Sequence, residues 1–287
     1  MKKFFTIITL SLLLNNAFAQ EIKIMTWNIF MIPPIIFKSC QEDRAVYISD
    51  YVKKMNPDIM VFNEAFLKNI TAILKDKLTA LYPYQSDVTP RGAMKLNSGV
   101  LVFSKFPILK QDFVQYKSKR GSDRFAKKGA RYVELAVSNR RIQLVTTHTQ
   151  SLVKYSAARI KQFAQLKNQL LDKYFQDSIP QFIVGDLNCN YYDTSEYNIM
   201  IKDLDVLPVA YSGEKFSWNG VENDLAYKFS EHTQETLDYI LLRNSTIAKA
   251  TIKSTEILKP SCGCTICKYK FNSFSDHYPL ISTIELK

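Results

Sequence analysis

Two of the three histidines in this 287-residue chain stand where strands should end. His277 lies in Phe274-Ser275-Asp276-His277-Tyr278-Pro279, just ahead of the apolar alternation Leu280-Ile281-Ser282-Thr283-Ile284, and His148 closes the run Ile142 to Thr147. Other apolar runs meet the same kind of residue. Asn28 follows Ile22 to Trp27, Glu64 follows Ile59-Met60-Val61-Phe62-Asn63, Asp186 and Asn188 follow Gln181 to Gly185, and Asp238 sits in Leu237 to Leu242. Singly, each has a plain reading: Asn28 and Asn188 as turn residues, Asp186 as a turn or cap, Glu64 as a first-turn carboxylate, His148 as a core histidine. Together they are carboxylates, amides and imidazoles gathered at strand mouths, where side chains converge on a ligand. Such a set can hold a hard cation through oxygen, move a proton to or from water, and stabilise charge that develops during a reaction.

Periodicity supplies the elements that carry these residues. Glu21 to Phe30 alternates as a strand and breaks at Met31-Ile32-Pro33-Pro34. Ser39-Cys40-Gln41-Glu42 reads as a capping box opening a helix whose face is Ala45, Ile48, Val52 and Met55, stopped by Asn56-Pro57. Ile59 to Phe62 is a wholly apolar strand of the kind covered on both sides. A second helix buries Phe66, Ile70, Ile73, Leu74 and Leu78, and Gly99 to Ser104 is another buried strand. Arg131 to Val137 and Ile142 to Thr147 flank Ser138-Asn139-Arg140-Arg141 as a hairpin with a four-residue turn. From Ser156 to Phe175, Ile160, Phe163, Leu166, Leu170 and Tyr174 recur at helical spacing. Short strands interleaved with a few amphipathic helices predict two sheets packed face to face with helices outside, a four-layer α/β/β/α sandwich.

The length suits one large domain, and no Pro-, Gly- or Ser-rich linker divides it. Met1-Lys2-Lys3, the apolar run Phe4 to Leu14 and Ala17-Phe18-Ala19 before Gln20 match the charged, apolar and small-residue regions of a secretory signal peptide. Cleavage is expected after Ala19, leaving residues 20–287 as a single domain that is secreted or periplasmic. The apolar run is too short to span a bilayer of about 30 Å, and no cysteine follows the cleavage point to carry a lipid. The net charge is +11, of which Lys2 and Lys3 account for two, leaving +9 beyond the leader. That surplus suits an anionic partner, nucleic acid or membrane surface, without choosing between them. Five cysteines leave at least one unpaired if all disulfides are internal. Cys262, Cys264 and Cys267 crowd together without a fourth zinc ligand nearby, which favours a disulfide over a metal site in an oxidising compartment. Cys189, between Asn188 and Asn190, reads as a buried small residue.

The motifs resemble the endonuclease/exonuclease/phosphatase superfamily, and within it are most similar to the bacterial neutral sphingomyelinases. The resemblance runs through Thr26-Trp27-Asn28, Phe62-Asn63-Glu64-Ala65-Phe66, Ser98-Gly99-Val100, Lys128-Gly129, Thr147-His148-Thr149-Gln150, Arg159 with Gln162, Gly185-Asp186-Leu187-Asn188, Leu237-Asp238-Tyr239-Ile240 and Ser275-Asp276-His277-Tyr278-Pro279. It implies a phosphodiesterase in which Glu64, helped by Asn28, holds Mg²⁺, with Mn²⁺ or Co²⁺ as possible replacements. His277 would be the general base, oriented by Asp238, with Asp276 binding metal or water nearby. His148, Asp186 and Asn188 would surround the phosphoryl group; whether His148 stabilises charge or protonates the leaving oxygen stays open.

The chain departs from those enzymes where they carry an aromatic-tipped hairpin that dips into the membrane; here the cysteine cluster Ser261 to Lys270 stands instead, without a tryptophan. The apolar loop after Asn28, with Met31, Ile32, Ile35, Ile36 and Phe37, is a candidate replacement, against ordinary core packing. The leading expectation is a secreted, monomeric, Mg²⁺-dependent phosphodiesterase that meets the membrane peripherally and cleaves sphingomyelin to ceramide and phosphocholine, rather than acting on nucleic acid. An exported nuclease of the same fold, and a non-catalytic lipid-binding or toxin-subunit module, are the alternatives.

Overall fold

The computed structural model describes residues 19–90, 95–228, 232–247, 250–261, 265–266 and 271–287. The leader up to residue 18 and Cys262, Cys264 and Cys267 lie outside the described residues. In chain order the strands are β1 (Gln20–Asn28), β2 (Ile59–Asn63), β3 (Tyr84–Gln85), β4 (Leu101–Ser104), β5 (Ile108–Gln115), β6 (Gly129–Val137), β7 (Arg140–His148), β8 (Gln181–Asp186), β9 (Ser212–Gly213), β10 (Trp218–Asn219), β11 (Gln234–Glu235), β12 (Asp238–Leu242), β13 (Ala250–Ile257) and β14 (Leu280–Leu286). The helices are α1 (Gln41–Met55), α2 (Lys68–Leu78), α3 (Ser156–Leu166), the single turn α4 (Asp172–Tyr174) and α5 (Thr194–Leu204).

Alternation along each central strand sorts its side chains into separate cores. In β1, Ile22 and Ile24 face the opposite sheet while Met25 and Trp27 face the helices; in β2, Ile59 and Val61 divide from Met60 and Phe62 in the same way. The second sheet repeats the pattern, with Leu144, Val184 and Ile240 turned inward and Val145, Ile183 and Tyr239 turned toward α3 and α5. Sheets covered on both faces need near-continuous apolar strands, which is what the sequence supplies. Each fully buried Val, Leu or Ile contributes roughly 1.5–3 kcal/mol, so these three cores, not the polar residues at the strand ends, carry the stability.

The first sheet runs β3-β4-β2-β1-β14-β13-β9 and the second β12-β8-β7-β6-β5. Most neighbours are antiparallel, but β1 with β2 and β7 with β8 are parallel, joined by crossovers through α1 and α3. The architecture is the expected α/β/β/α sandwich. Both parallel pairs end at one edge of it, where β12 and β14 begin.

Three local expectations are corrected. Ser39 does not cap α1: the N-cap is Cys40, with φ 51° and no side-chain cap bond, while Gln41 turns back and donates Nε2 to the carbonyls of Ile32 and Phe37. The β6–β7 turn has two residues, not four, because Val137 pairs with Arg140 and Ser138 takes the positive φ that tight hairpins require. The helix from Ser156 widens into a π turn at Lys167–Leu171, which lets adjacent Leu170 and Leu171 both face the core. Cys40 is disulfide-bonded. Cys189 is free and fully buried, and burial pushes its thiol well above the ordinary range.

Gly185 shows how tightly the site edge is built. Its φ is 137°, and a Cβ there would stand 2.1 Å from the carbonyl oxygen of Thr147 on the paired strand. Gly185→Ala must push β7 from β8 one residue before Asp186. The variant is expected to lose more than about 2 kcal/mol of stability, read as a fall in the midpoint of thermal unfolding; an unchanged midpoint would show that the strands yield freely there.

Candidate active site

Two side-chain amides join the sheets at this edge. Asn63, the last residue of β2, donates Nδ2 to the carbonyl of Thr147 at 3.1 Å and accepts the backbone N–H of Asp186 at 3.1 Å. Asn28, at the end of β1, donates Nδ2 to Asp186 Oδ2 at 2.9 Å and accepts the N–H of Phe30. As the chain leaves β1, β2 and β8 it passes through left-handed residues, Phe30 (φ 50°), Glu64 (φ 59°) and Asn188 (φ 49°). Positive φ is uncommon outside glycine and clusters at functional sites. At Asn188 the turn is held by its own N–H donating to Asp186 Oδ1 at 2.9 Å.

His277 is fixed from both sides. Trp27 Nε1 donates to its carbonyl at 2.8 Å, and Ser275 Oγ donates to the carbonyl of Asn28 at 2.6 Å. Its ring Nδ1 lies 2.7 Å from Asp238 Oδ2, and Nε2 points toward Asp186 Oδ2 at 3.9 Å. The carboxylate therefore holds the proton on Nδ1 and turns Nε2 into the site. Burial alone would lower the imidazole's pKa; Asp238, Asp186 and Asp276 outweigh it and raise it to about 10.

His148 is poised in the opposite sense. Lys128, itself buried, brings Nζ to 2.9 Å from His148 Nε2, donates to the carbonyl of Thr149 at 3.0 Å and pairs with Asp123 at 3.0 Å. Nε2 also stands 3.3 Å from Asp186 Oδ2; toward the closer ammonium, which can only donate, it accepts, and that tautomer carries its proton on Nδ1. Nδ1 finds no hydrogen-bond partner among the described residues and faces Glu64 Oε1 at 3.9 Å. Burial, then the charges of Lys128 and His277, push this imidazole well below its usual range, so it is neutral.

Four carboxylates share the pocket. Burial and then Asp276 raise Glu64 to about 8, burial and then Asp238 raise Asp186 to about 6, and burial raises Asp276. Glu64 Oε2 and Asp238 Oδ1 are buried with no hydrogen-bond partner among the described residues. Crowded carboxylates with unpaired oxygens suit a hard divalent cation, which would relieve their mutual repulsion. Asp186, Asp238 and His277 can bring one ligand atom each within 4.8 Å of one another, a group compatible with such an ion. Glu64, Asn28 and Asp276 offer further oxygens on the other side, although Asn28 already spends its amide N–H on Asp186.

The residues read from the strand ends are drawn together: Asn28, His148, Asn188 and His277 around Asp186, Glu64 beside His148, Asp238 on His277, and Asp276 near enough to act on the charges of Glu64 and His277. The apolar loop divides. Met31 is wholly buried beside the Arg44 guanidinium, so it is not available to a membrane; Ile32 and Phe37 are partly covered; Ile35 and Ile36 are 95% and 67% exposed. Sequence reasoning missed the supports. Arg44, fully buried, donates to the carbonyls of Ile29, Phe30, Ser39 and Phe274, binding the Asn28 loop to the segment that leads into His277. Lys128 and Asn63 were visible only as parts of motifs, and Trp218, 5.0 Å from the His277 ring, gave no signal.

Sphingomyelinase C 2 of Leptospira interrogans is 33% identical over 92% of this chain, which spans 46% of that relative's length. Among solved structures, sphingomyelinase C from Streptomyces griseocarneus is 28% identical with a TM-score of 0.83, covering 92% of this chain and 99% of that one. A mutant of beta toxin from Staphylococcus aureus with bound magnesium ions is 26% identical with a TM-score of 0.81, covering 92% and 99%. With residues 25–277 matching its model from the first strand to the candidate base, the chain belongs to the Endonuclease/Exonuclease/phosphatase family.

Proposed function

We propose that the chain is an exported, monomeric phosphodiesterase that uses Mg²⁺ to hydrolyse sphingomyelin to ceramide and phosphocholine. The observation that carries this reading is the His277–Asp238 pair at 2.7 Å, opening onto a pocket of carboxylates with unpaired oxygens. Similar proteins named as sphingomyelinases, one structure of which holds magnesium, support it. The eight residues come from one chain, so no partner is needed to complete the site. The leader Met1 to Ala19 fits export.

In this reading Glu64, Asn28 and Asp276 hold the cation, with the Asp186 and Asp238 oxygens within its reach. The ion supplies positive charge that polarises the phosphoryl oxygens and draws down the pKa of its neighbours. With cation charge offsetting the carboxylates that raise it, His277 would be neutral and its Nε2 would accept the proton of the attacking water, Asp238 holding the ring and balancing the imidazolium; as the water oxygen bonds to phosphorus the ceramide oxygen–phosphorus bond breaks, and the alkoxide takes its proton from solvent. His148, neutral and protonated on Nδ1, donates a hydrogen bond to phosphoryl oxygen rather than acting as a base. Asn188 and Asp186 position the remaining oxygens. Ile35 and Ile36, braced by the Gln41 hydrogen bonds to Ile32 and Phe37, enter the lipid surface.

Three outcomes follow. His277→Ala is expected to lower phosphocholine release from sphingomyelin liposomes with Mg²⁺ at least about 10²-fold. Undiminished release would remove His277 as base, and plasmid cleavage outpacing lipid hydrolysis by the unaltered protein would favour a nuclease. The Ile35→Ser, Ile36→Ser double variant should hydrolyse liposomal sphingomyelin several-fold more slowly while keeping its rate on detergent-dispersed substrate; equal rates on liposomes would refute lipid contact by this loop. Without cation, Glu64 binds more protons folded than unfolded between pH 4.5 and about 8, and His277 does so between 6.5 and about 10. Both therefore make stability fall as pH rises. In EDTA the unfolding midpoint should drop on the order of 5 °C from pH 6.5 to 8, and Mg²⁺ should recover most of it; a flat profile in EDTA would contradict the electrostatic picture.

A further inference from the structure

The β10–β11 hairpin adds a row of side chains beside the base that the hydrolytic step does not use. Trp218 pairs with Glu235 across the hairpin, and its other flank bridges to His277. Tyr278 N–H donates to the carbonyl of Ser217 at 2.7 Å, which locks that lateral order. Residues paired directly across strands send their side chains to the same face, with Cβ atoms about 4.5–5.5 Å apart. His277, Trp218 and Glu235 thus form one row, the indole standing 5.0 Å from the imidazole between ring centres.

The far end of the row carries an uncommitted charge. Glu235 is partly buried and its carboxylate makes no hydrogen bond or ion pair with any described residue, although burial pushes its carboxyl up and Arg159 and His277 draw it back down. It lines a small cavity of about 70 Å³ together with Asn188, Leu237, Leu152 and Val153. The nearby guanidinium of Arg159 does not neutralise it, being held by two bonds of 2.6 Å to Glu196. The cavity adjoins the phosphoryl side of the site through Asn188; Leu152, Val153 and Leu237 give it an apolar side, Asn190, Asp193, Arg159 and Glu196 line the rest with the last two paired to each other, and the Glu235 carboxylate stands next to the Trp218 indole across the hairpin.

A cation with N–H groups needs acceptors on several sides, whereas a methylated ammonium needs only negative potential and apolar contact, which an aromatic face and a carboxylate provide. Two lateral strand spacings separate Glu235 from His277, about 10 Å, room for a phosphoryl group, a two-carbon link and a cation between them. We infer that Trp218 and Glu235 form the subsite for a quaternary-ammonium head group, and so set which phosphodiesters the enzyme selects. This rests on the phosphodiesterase reading and adds to it the residues that would prefer choline over uncharged or primary-amine heads.

The test compares kcat/KM for p-nitrophenyl phosphorylcholine with that for ethyl p-nitrophenyl phosphate, two Mg²⁺-assayed diesters that differ in the cation. The unaltered protein should favour the choline ester, and Glu235→Gln, which keeps the shape and removes the charge, should lower that preference about tenfold. Tetramethylammonium should inhibit choline-ester hydrolysis competitively in the unaltered protein and much more weakly in the variant. Trp218→Leu, which also touches the base, should weaken the preference in the same direction. No preference in the unaltered protein, a preference unchanged in Glu235→Gln, or equal losses on both esters would overturn the inference while leaving the hydrolase intact. Failure of the unaltered protein to cleave either ester would instead bring down the phosphodiesterase reading, and this inference with it.

Discussion

The cross-sheet amide of Asn63 is the contact on which the site depends. Two stacked sheets meet through apolar side chains, which attract without direction, so hydrophobic packing alone would let the strand ends slide by fractions of an ångström. One buried amide removes that freedom: its donor is fixed on the Thr147 carbonyl of one sheet's strand and its acceptor takes the backbone N–H that carries Asp186. Asn28 adds a second tie to the same carboxylate. A buried amide with both ends satisfied specifies one alignment, and leaving either end open would cost the desolvation of that group. The register of the catalytic groups is thus set by polar bonds resting on a core that supplies the energy.

Electrostatics gives the two histidines different work. Both touch carboxylates, but His277 Nδ1 is held by Asp238 at 2.7 Å, whereas His148 Nε2 meets the Lys128 ammonium at 2.9 Å as well as Asp186 Oδ2 at 3.3 Å. One imidazole is drawn toward the charged form and the other is kept neutral with its proton on a chosen nitrogen. Environment, not residue type, sets the two imidazoles apart. The raised carboxyl groups around them record burial first, with repulsion from a neighbouring carboxylate added at Glu64 and Asp186.

Much of this was legible in the sequence, for physical reasons. Strands covered on both faces announce themselves as apolar runs, and a polar residue closing such a run must sit at a sheet edge, so Glu64, His148 and Asp186 could be gathered before any coordinates. What escaped are groups whose role comes from distant partners. Arg44 falls on the inner side of α1, where a charged residue at helical spacing reads as surface; it is buried because four carbonyls from two loops turn toward it. The Ser39 cap failed because its hydroxyl accepts from the Arg44 guanidinium and Glu42, the other half of the box, accepts from Asn69. Met31 looked like its apolar neighbours, yet tertiary packing buries it and leaves Ile35 and Ile36 outside. Trp218 and Glu235 sit on two-residue strands, too short to leave a period.

The pairing of the first strand with the last has a temporal consequence. β1 lies between β2 and β14, so the middle of its sheet stays open until the segment carrying His277 has been made and inserted. Contacts of such long sequence separation form slowly, because loop-closure entropy must be met before they stabilise anything. The cluster around His277 therefore assembles only after β14 has docked beside β1, and a copy lacking that strand, however much of its core has formed, holds the other strand-end residues without their imidazole partner.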